Sequence, residues 1–333
     1  MLHTKHMRNH QNGSVLIVVI AALFVLFLGL VAWRWYDATQ PPVSVVREEK
    51  TATPTKRIVA AGDIACDPSD SNRNHQNPAY CQDDQTARLA QGAKPDAVLA
   101  LGDLQYDNGT LEKFQQAYAA TWGTLRGITH PAPGNHEYAT SQAGGYYAYF
   151  QDAPQDIRAG YYSFTLGNWR IISLNSNCDH IGGCGSDSAQ MHWLQAELRN
   201  HPAPCTLAFW HHPRFTSGNY RNDTAMKSRS ETMWNLLATH HVDVVLNGHD
   251  HLYERFAPQT PDGTSSAEGM RQFTVGTGGK SHYRAAAPVP QSEKIVDDRF
   301  GILQMDLFLG SYAWQFIATD NTVLDAGQQQ CVR

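Results

Sequence analysis

The chain has 333 residues, 42% of them hydrophobic and 17% charged, with a formal net charge of −5, ordinary values for a globular protein. That charge argues against an extended nucleic-acid surface, which needs a clustered basic face. It leaves open a small phosphate-bearing substrate, because metal charge concentrated at one site can hold phosphate on a negative protein.

Residues 1–13 read as a short tail carrying Lys5 and Arg8. From Ser14 to Trp33 the sequence SVLIVVIAALFVLFLGLVAW has no charge. As a helix at about 1.5 Å per residue it spans about 30 Å, one bilayer core. Trp33, Trp35 and Tyr36 close its far end like an interfacial belt. The reading is a transmembrane signal anchor over 14–36, with 1–13 cytoplasmic and the rest of the chain outside, although Arg34 weakens the charge contrast. A cleaved signal peptide is the competing reading; its apolar core normally runs about 7–15 residues before a small-x-small site. Residues 37–56 are rich in Pro, Thr and charge without amphipathic period and read as a linker. Residues 57–333 are long enough for one sizeable domain and contain no internal repeat.

Within that domain, apolar and β-branched runs predict strands at Ile58–Ala61, Ala97–Leu101, Tyr161–Leu166, Trp169–Leu174 and Thr206–Trp210. Four more are predicted at Val242–Leu246, Gln272–Val275, Ile302–Phe308 and Tyr312–Ala318. Asp187–Asn200 puts Met191, Leu194 and Leu198 on one helical face, with Asp187 as N-cap and Gln190 three residues on. Arg229–His240 does the same with Met233, Leu236 and Leu237, and Gln82–Gln91 and Leu111–Ala120 are weaker helical stretches. Strands alternating with helices early, then mostly strands, predict a mixed α/β fold of mixed sheets flanked by helices.

Six cysteines, Cys66, Cys81, Cys178, Cys184, Cys205 and Cys331, all lie beyond the apolar segment. None forms a CxxC pair, so a zinc ribbon is disfavoured, and three disulfides in an oxidising compartment fit the inferred topology. The expected pairing is Cys66–Cys81 and Cys178–Cys184 as local staples, with Cys205–Cys331 tying down the tail; some free buried thiols are the alternative.

Five segments carry the chemistry: RIVAAGD (Arg57–Asp63), VLALGDLQY (Val98–Tyr106), PAPGNHE (Pro131–Glu137), LAFWHHP (Leu207–Pro213) and VVLNGHDH (Val244–His251). Each follows or interrupts an apolar run and ends in groups that bind hard metal ions. Their donors are Asp63, Asp103, Tyr106, Asn135, His211, His249 and His251, enough for two metals sharing one carboxylate. A Gly-Asp pair alone is ordinary turn chemistry, but Asp103 and Tyr106 can face one point. His249 and His251, at i and i+2, fall on the same side of an extended segment. In α/β architecture the carboxyl ends of neighbouring strands converge on a crevice, where such distant residues can meet. The other histidines, apart from His136, are given no ligand role, since most surface histidines are solvated or structural.

The order GD, GDxxY, GNH[ED], HxP, GHxH resembles the calcineurin-like metallophosphoesterase superfamily, and Tyr106 and GHDHLYER (Gly248–Arg255) resemble its purple acid phosphatase branch. The resemblance runs from Arg57 to about Phe256, with GTGG at 276–279 beyond it. It implies two packed mixed β-sheets with helices outside, a four-layer sandwich. It also implies one metal on Asp63, Tyr106 and His251, a second on Asn135, His211 and His249, and Asp103 bridging them. The first metal in relatives is often Fe(III), the second zinc, iron or manganese; His212 does not match a ligand position. Plant-type relatives carry a further histidine after the HxP segment. Here His211–Thr224 offers Arg214 and Arg221 instead, either a phosphate clamp or solvated loop charges.

The function these features predict is phosphomonoester hydrolysis outside the cytoplasm by a hydroxide held on the metals, with His136 protonating the leaving group or steadying charge. Phosphodiesterase or nucleotidase activity at the same site is the alternative within enzymes, and a membrane-tethered binding module with an inactive site is the alternative outside them. The expected partners are a small phosphate ester and, through 14–36, the membrane.

Overall fold

The computed structural model describes residues 54–71, 73 and 79–332. The expected tail, signal anchor and most of the linker therefore lie outside the described residues. Among the described residues no helix is long and apolar enough to cross a membrane.

Two mixed β-sheets with helices around them make up the fold. The first sheet takes β1 (Lys56–Ala61), β2 (Ala97–Leu101), β3 (Thr129–Ala132), β11 (Gly301–Leu307), β12 (Ser311–Ala318) and β13 (Val323–Gln330), in the order β13-β12-β11-β1-β2-β3. The second takes β4 (Tyr162–Leu166), β5 (Trp169–Ser173), β6 (Cys205–Phe209), β7 (Val244–Asn247), β8 (Tyr253–Phe256), β9 (Arg271–Val275) and β10 (Ser292–Val296), in the order β10-β8-β9-β7-β6-β5-β4. Each sheet contains one parallel run: β1, β2 and the edge strand β3 in the first, and β5, β6, β7 and β9 in the second. The remaining strands join antiparallel, on one side of that run in the first sheet and on both sides in the second.

Period-two alternation explains the packing of β6 and β7. Leu207, Phe209, Val244 and Leu246 belong to one apolar cluster with Ile58, Leu99 and Leu303 of the first sheet. Ala208, Trp210 and Val245 point the other way, into a second cluster. There they meet Met191 and Leu194 of a helix over Ala189–Asn200 and Met233, Trp234 and Leu237 of another over Thr224–Thr239. Ser188, not Asp187, caps the first of these helices, its hydroxyl accepting from the Met191 N–H. The second starts five residues earlier than expected, because the Asp223 carboxylate accepts from Met226 N and starts the helix through a polar first turn.

The sheets are also tied by polar and aromatic contacts. Arg255 on β8 meets Asp325 on β13 through Nε at 2.7 Å and Nη2 at 3.2 Å. Tyr253 stacks on Phe316 with ring centroids 4.1 Å apart. The disulfides are Cys66–Cys81, Cys178–Cys184 and Cys205–Cys331, the expected pairing. The last joins the first residue of β6 to the segment after β13, a covalent bridge between the two sheets.

Beside that bridge, Asp243 is buried, and its carboxylate accepts the N–H groups of Thr206 (2.7 Å) and Val332. Burial lifts its pKa to about 7 from an ordinary 3.8, against the lowering effect of those N–H groups. The folded protein therefore binds an extra proton between those values, so stability falls as pH rises through that window. Asp243→Asn removes this dependence. Between pH 4.5 and 7.5 the native chain should lose roughly 3 kcal/mol more than the variant, read by urea unfolding at each pH.

Candidate metal centre

The parallel strands of both sheets bring their carboxyl ends to one edge, and the candidate donors follow them closely. Asp63 comes two residues after β1, Asp103 two after β2, Asn135 three after β3, His211 two after β6 and His249 two after β7. Asp63, Asp103 and His249 have positive φ, at 59°, 51° and 71°. Such conformations cost about 1–2 kcal/mol each for side-chain-bearing residues, and neighbouring bonds hold them. Asp63 N donates to Gly102 O at 3.0 Å, and His249 N donates to Asp63 Oδ2 at 2.8 Å. Gly248 is required here: an added Cβ would sit 2.8 Å from Asp63 Oδ2 and 2.9 Å from Leu101 O.

The seven expected donors meet in two groups that share one oxygen. Tyr106 Oη lies 2.9 Å from Asp63 Oδ1, 3.3 Å from Asp103 Oδ2 and 3.0 Å from His251 Nε2. His211 Nε2 lies 3.2 Å from the same Asp103 Oδ2, 3.2 Å from Asn135 Oδ1 and 3.2 Å from His249 Nδ1. Asp63, Asp103, Tyr106, His211, His249 and His251 are buried, and Asn135 is partly exposed. Two imidazoles are oriented by carbonyls. His211 Nδ1 donates to Leu101 O at 2.9 Å and His251 Nδ1 to Ser281 O, so each turns Nε2 inward. Carboxylate, amide oxygen, phenol and imidazole are the donor types that hard and borderline cations take, so this set fits a pair of metal ions.

The electrostatics agree with that fit. Burial alone would raise the Asp103 carboxyl, but the His211 imidazole beside it holds it far below the usual carboxylate range. The same contact lifts His211 to about 9 against its own burial. Burial, and then Asp63 and Asp103, keep the Tyr106 phenol well above its ordinary 10, so cations at the centre would have to displace that proton.

Glu137, the last residue of GNHE, was not singled out by sequence. It is fully buried, and its two oxygens accept four backbone N–H groups: Leu104 (2.9 Å) and Gln105 (3.3 Å) on Oε1, Asp103 (2.9 Å) and Gly134 (2.7 Å) on Oε2. It thereby clasps the turn carrying Asp103 to the turn carrying Asn135. Asp250, between the two histidines of GHDH, likewise escaped notice. It is buried and accepts from Thr216 Oγ1 (2.6 Å) and Asn219 N (2.8 Å), anchoring the loop after β6.

His136 reaches the rim. Its N–H donates to Asp103 Oδ1 at 2.8 Å, its Nδ1 faces Asp107 O at 2.6 Å, and its Nε2 lies 3.8 Å from Asp103 Oδ2. His212 packs its ring 4.4 Å from that of His249, with Nδ1 on Ser176 Oγ at 2.7 Å. Arg214 does not join the donors. Its guanidinium is turned onto the Thr224–Thr239 helix, Nη1 donating to Lys227 O and Nη2 to Glu231 Oε1, both at 3.0 Å. The helix supplies the acceptors that hold the guanidinium there. Arg221 is partly exposed, and its side chain makes no hydrogen bond or ion pair to another described residue.

A calcineurin-like phosphoesterase family model matches residues 56–253. The chain is 33% identical over 140 residues to purple acid phosphatase 22 of Arabidopsis thaliana, covering 40% of this chain and 31% of that protein. It is 31% identical over 164 residues to a 3′,5′-cyclic-nucleotide phosphodiesterase of Nostoc sp., covering 47% of this chain and 56% of that one. The fold is similar to that of a purple acid phosphatase from yellow lupin (Lupinus luteus) seeds, with a TM-score of 0.69 at 19% identity over 83% of this chain and 53% of the other. The chain thus spans about a third of the Arabidopsis protein and little over half of the other two.

Replacing Glu137 by Gln turns an acceptor-only group into one that faces backbone N–H donors with its own NH₂. Stability should fall by roughly 2–3 kcal/mol, and metal retention should weaken by about 10- to 100-fold, measured by competition with a chelator.

Proposed function

Because this chain belongs to the calcineurin-like phosphoesterase family, we propose that it hydrolyses phosphomonoesters at a two-metal centre. Asp63, Tyr106 and His251 would hold one cation, Asn135, His211 and His249 the other, and Asp103 would bridge them. The observation that carries this reading is the shared oxygen: Asp103 Oδ2 is the one carboxylate atom next to both Tyr106 Oη, at 3.3 Å, and His211 Nε2, at 3.2 Å. Tyr106 favours Fe(III) in the first position, with zinc, iron or manganese in the second.

Bound cations would supply neutralisation of the phosphate charge and a water acidified from about 15.7 towards 7. The protein's own contribution is placement. Glu137 fixes Asp103 and Asn135 relative to each other, and the Leu101 and Ser281 carbonyls aim His211 and His251. His136, its Nδ1 engaged by Asp107 O, keeps Nε2 near Asp103, where it can give a proton to the departing alkoxide, a role worth about 10²–10⁴-fold.

The similarity to the Nostoc phosphodiesterase supports a second reading, diester hydrolysis at the same centre. Turnover of 4-nitrophenyl phosphate against bis(4-nitrophenyl) phosphate separates the two. An inactive binding module is the third reading, and the full donor set weighs against it. The three disulfides support an extracytoplasmic location, and with residues 14–36 as a signal anchor, domain 57–333 would stand on the membrane's outer side.

Asp103→Asn should lose at least one of two metals by elemental analysis and lower kcat/KM for 4-nitrophenyl phosphate at least about a hundredfold; wild-type values for both would overturn the shared-ligand reading. His136→Asn should keep both metals and lower kcat about 10²-fold. Pure protein carrying two metals and a broad visible band would place iron on Tyr106, whereas a colourless two-metal protein would be a zinc or manganese enzyme.

A further inference from the structure

The loop after β6 is where the sequence suggested a cation for the substrate. The residue it delivers to the centre is Tyr220, whose ring lies 4.0 Å from that of His249 at an interplanar angle of 30°. From the loop after β9, Tyr283 lies over His251 at 4.1 Å and 11°. The two phenol rings meet each other edge to face at 5.9 Å. Each tyrosine gives a face to a candidate metal ligand, and each remains partly exposed.

Both rings stand on anchored backbone. Asp250 grips the Thr216–Asn219 stretch, and Gly218 lies so close to its carboxylate that no larger residue fits. Glu254 takes the Ser217 N–H at 2.8 Å, and Ser217 Oγ in turn accepts Val289 N at 2.9 Å. Tyr283 N donates to His251 O at 3.1 Å, fixing that ring to the ligand it covers. A site held this way on its supporting residues keeps its geometry better than a free loop tip.

Two of the nearby cations are engaged elsewhere: Arg214 is bound to the helix, and Lys280 Nζ lies 3.3 Å from Asp107 and 3.7 Å from Asp70. Arg221, beside Tyr220, is the cation left for phosphate oxygens, and the faces over the two histidines themselves are aromatic. An ester whose organic group extends over His249 and His251 would meet these partly exposed rings. A planar aromatic group gains offset or edge contacts there, which a small aliphatic group cannot make.

We propose that Tyr220 and Tyr283 form an aromatic wall that makes this centre select aryl phosphate esters, whose planar ring lies next to the phosphate, over esters of small aliphatic alcohols. This rests on the phosphoesterase reading of the centre and names the substrate class within it. The test uses the metal-loaded full chain and two phosphonates that cannot be hydrolysed, phenylphosphonate and methylphosphonate, with Kd measured by calorimetry.

The wild-type protein should bind phenylphosphonate about five- to tenfold more tightly than methylphosphonate, the range that aromatic contacts supply. Tyr220→Phe should keep that ratio. Tyr220→Leu, which retains apolar bulk without the ring, should bring it to within about twofold of unity. A wild-type ratio near one, an unchanged ratio in Tyr220→Leu, or an equal loss in Tyr220→Phe would overturn the wall. Turnover of phenyl phosphate is measured alongside. Aromatic preference without turnover would sink the hydrolase reading and keep the wall, whereas turnover without preference would do the reverse.

Discussion

The constraint on which the structure depends is the burial of two carboxylates, three imidazoles and a phenol within hydrogen-bond distance of one another. Stripped of water, such a set is stable only where each group has an opposite charge or a hydrogen-bond partner. Asp103 is the pivot. One oxygen accepts from the His136 backbone and the other lies beside Tyr106 and His211. The rest of the fold can be understood as the means of bringing it there. Two parallel strand sets end at one edge, left-handed turns follow the strands, and Glu137 fastens two of those turns together by four N–H bonds.

Much of this was legible in the sequence because metal chemistry restricts residue type. Few side chains can serve as donors, and five short motifs in a fixed order carry them after apolar runs. The residues that support the donors leave weaker traces. Glu137 and Asp250 bind mostly backbone N–H groups, which every residue has, so nothing elsewhere in the chain marks their partners. Tyr220 leaves no sequence signal, because an aromatic ring stacked on an imidazole has no fixed spacing.

The strands that pattern reading missed follow a similar logic. β3, β10 and β13 are sheet edges. An edge strand need not be apolar and tolerates proline, so THPA, SEKIV and VLDAGQQQ carry little periodic signal. β8 is internal but reads YERF. Its buried Glu254 accepts the hydroxyls of Ser217, in the loop after β6, and of Ser292, at the start of β10, and its partly buried Arg255 pairs with Asp325, a polar way of filling a strand that hydrophobic alternation cannot register. The Thr224–Thr239 helix began before its apolar stripe for a related reason, since its first turn is set by the Asp223 cap.

Both ends of the folded unit leave from the floor of the molecule. β1 starts at Lys56 and runs towards Asp63, while Cys331 is bonded to Cys205 at the start of the strand that runs towards His211. An affinity tag, a solid support or a reporter attached at either end would therefore sit across the full length of the strands from the mouth. Immobilised through these ends, the protein would present its donors to the medium unobstructed.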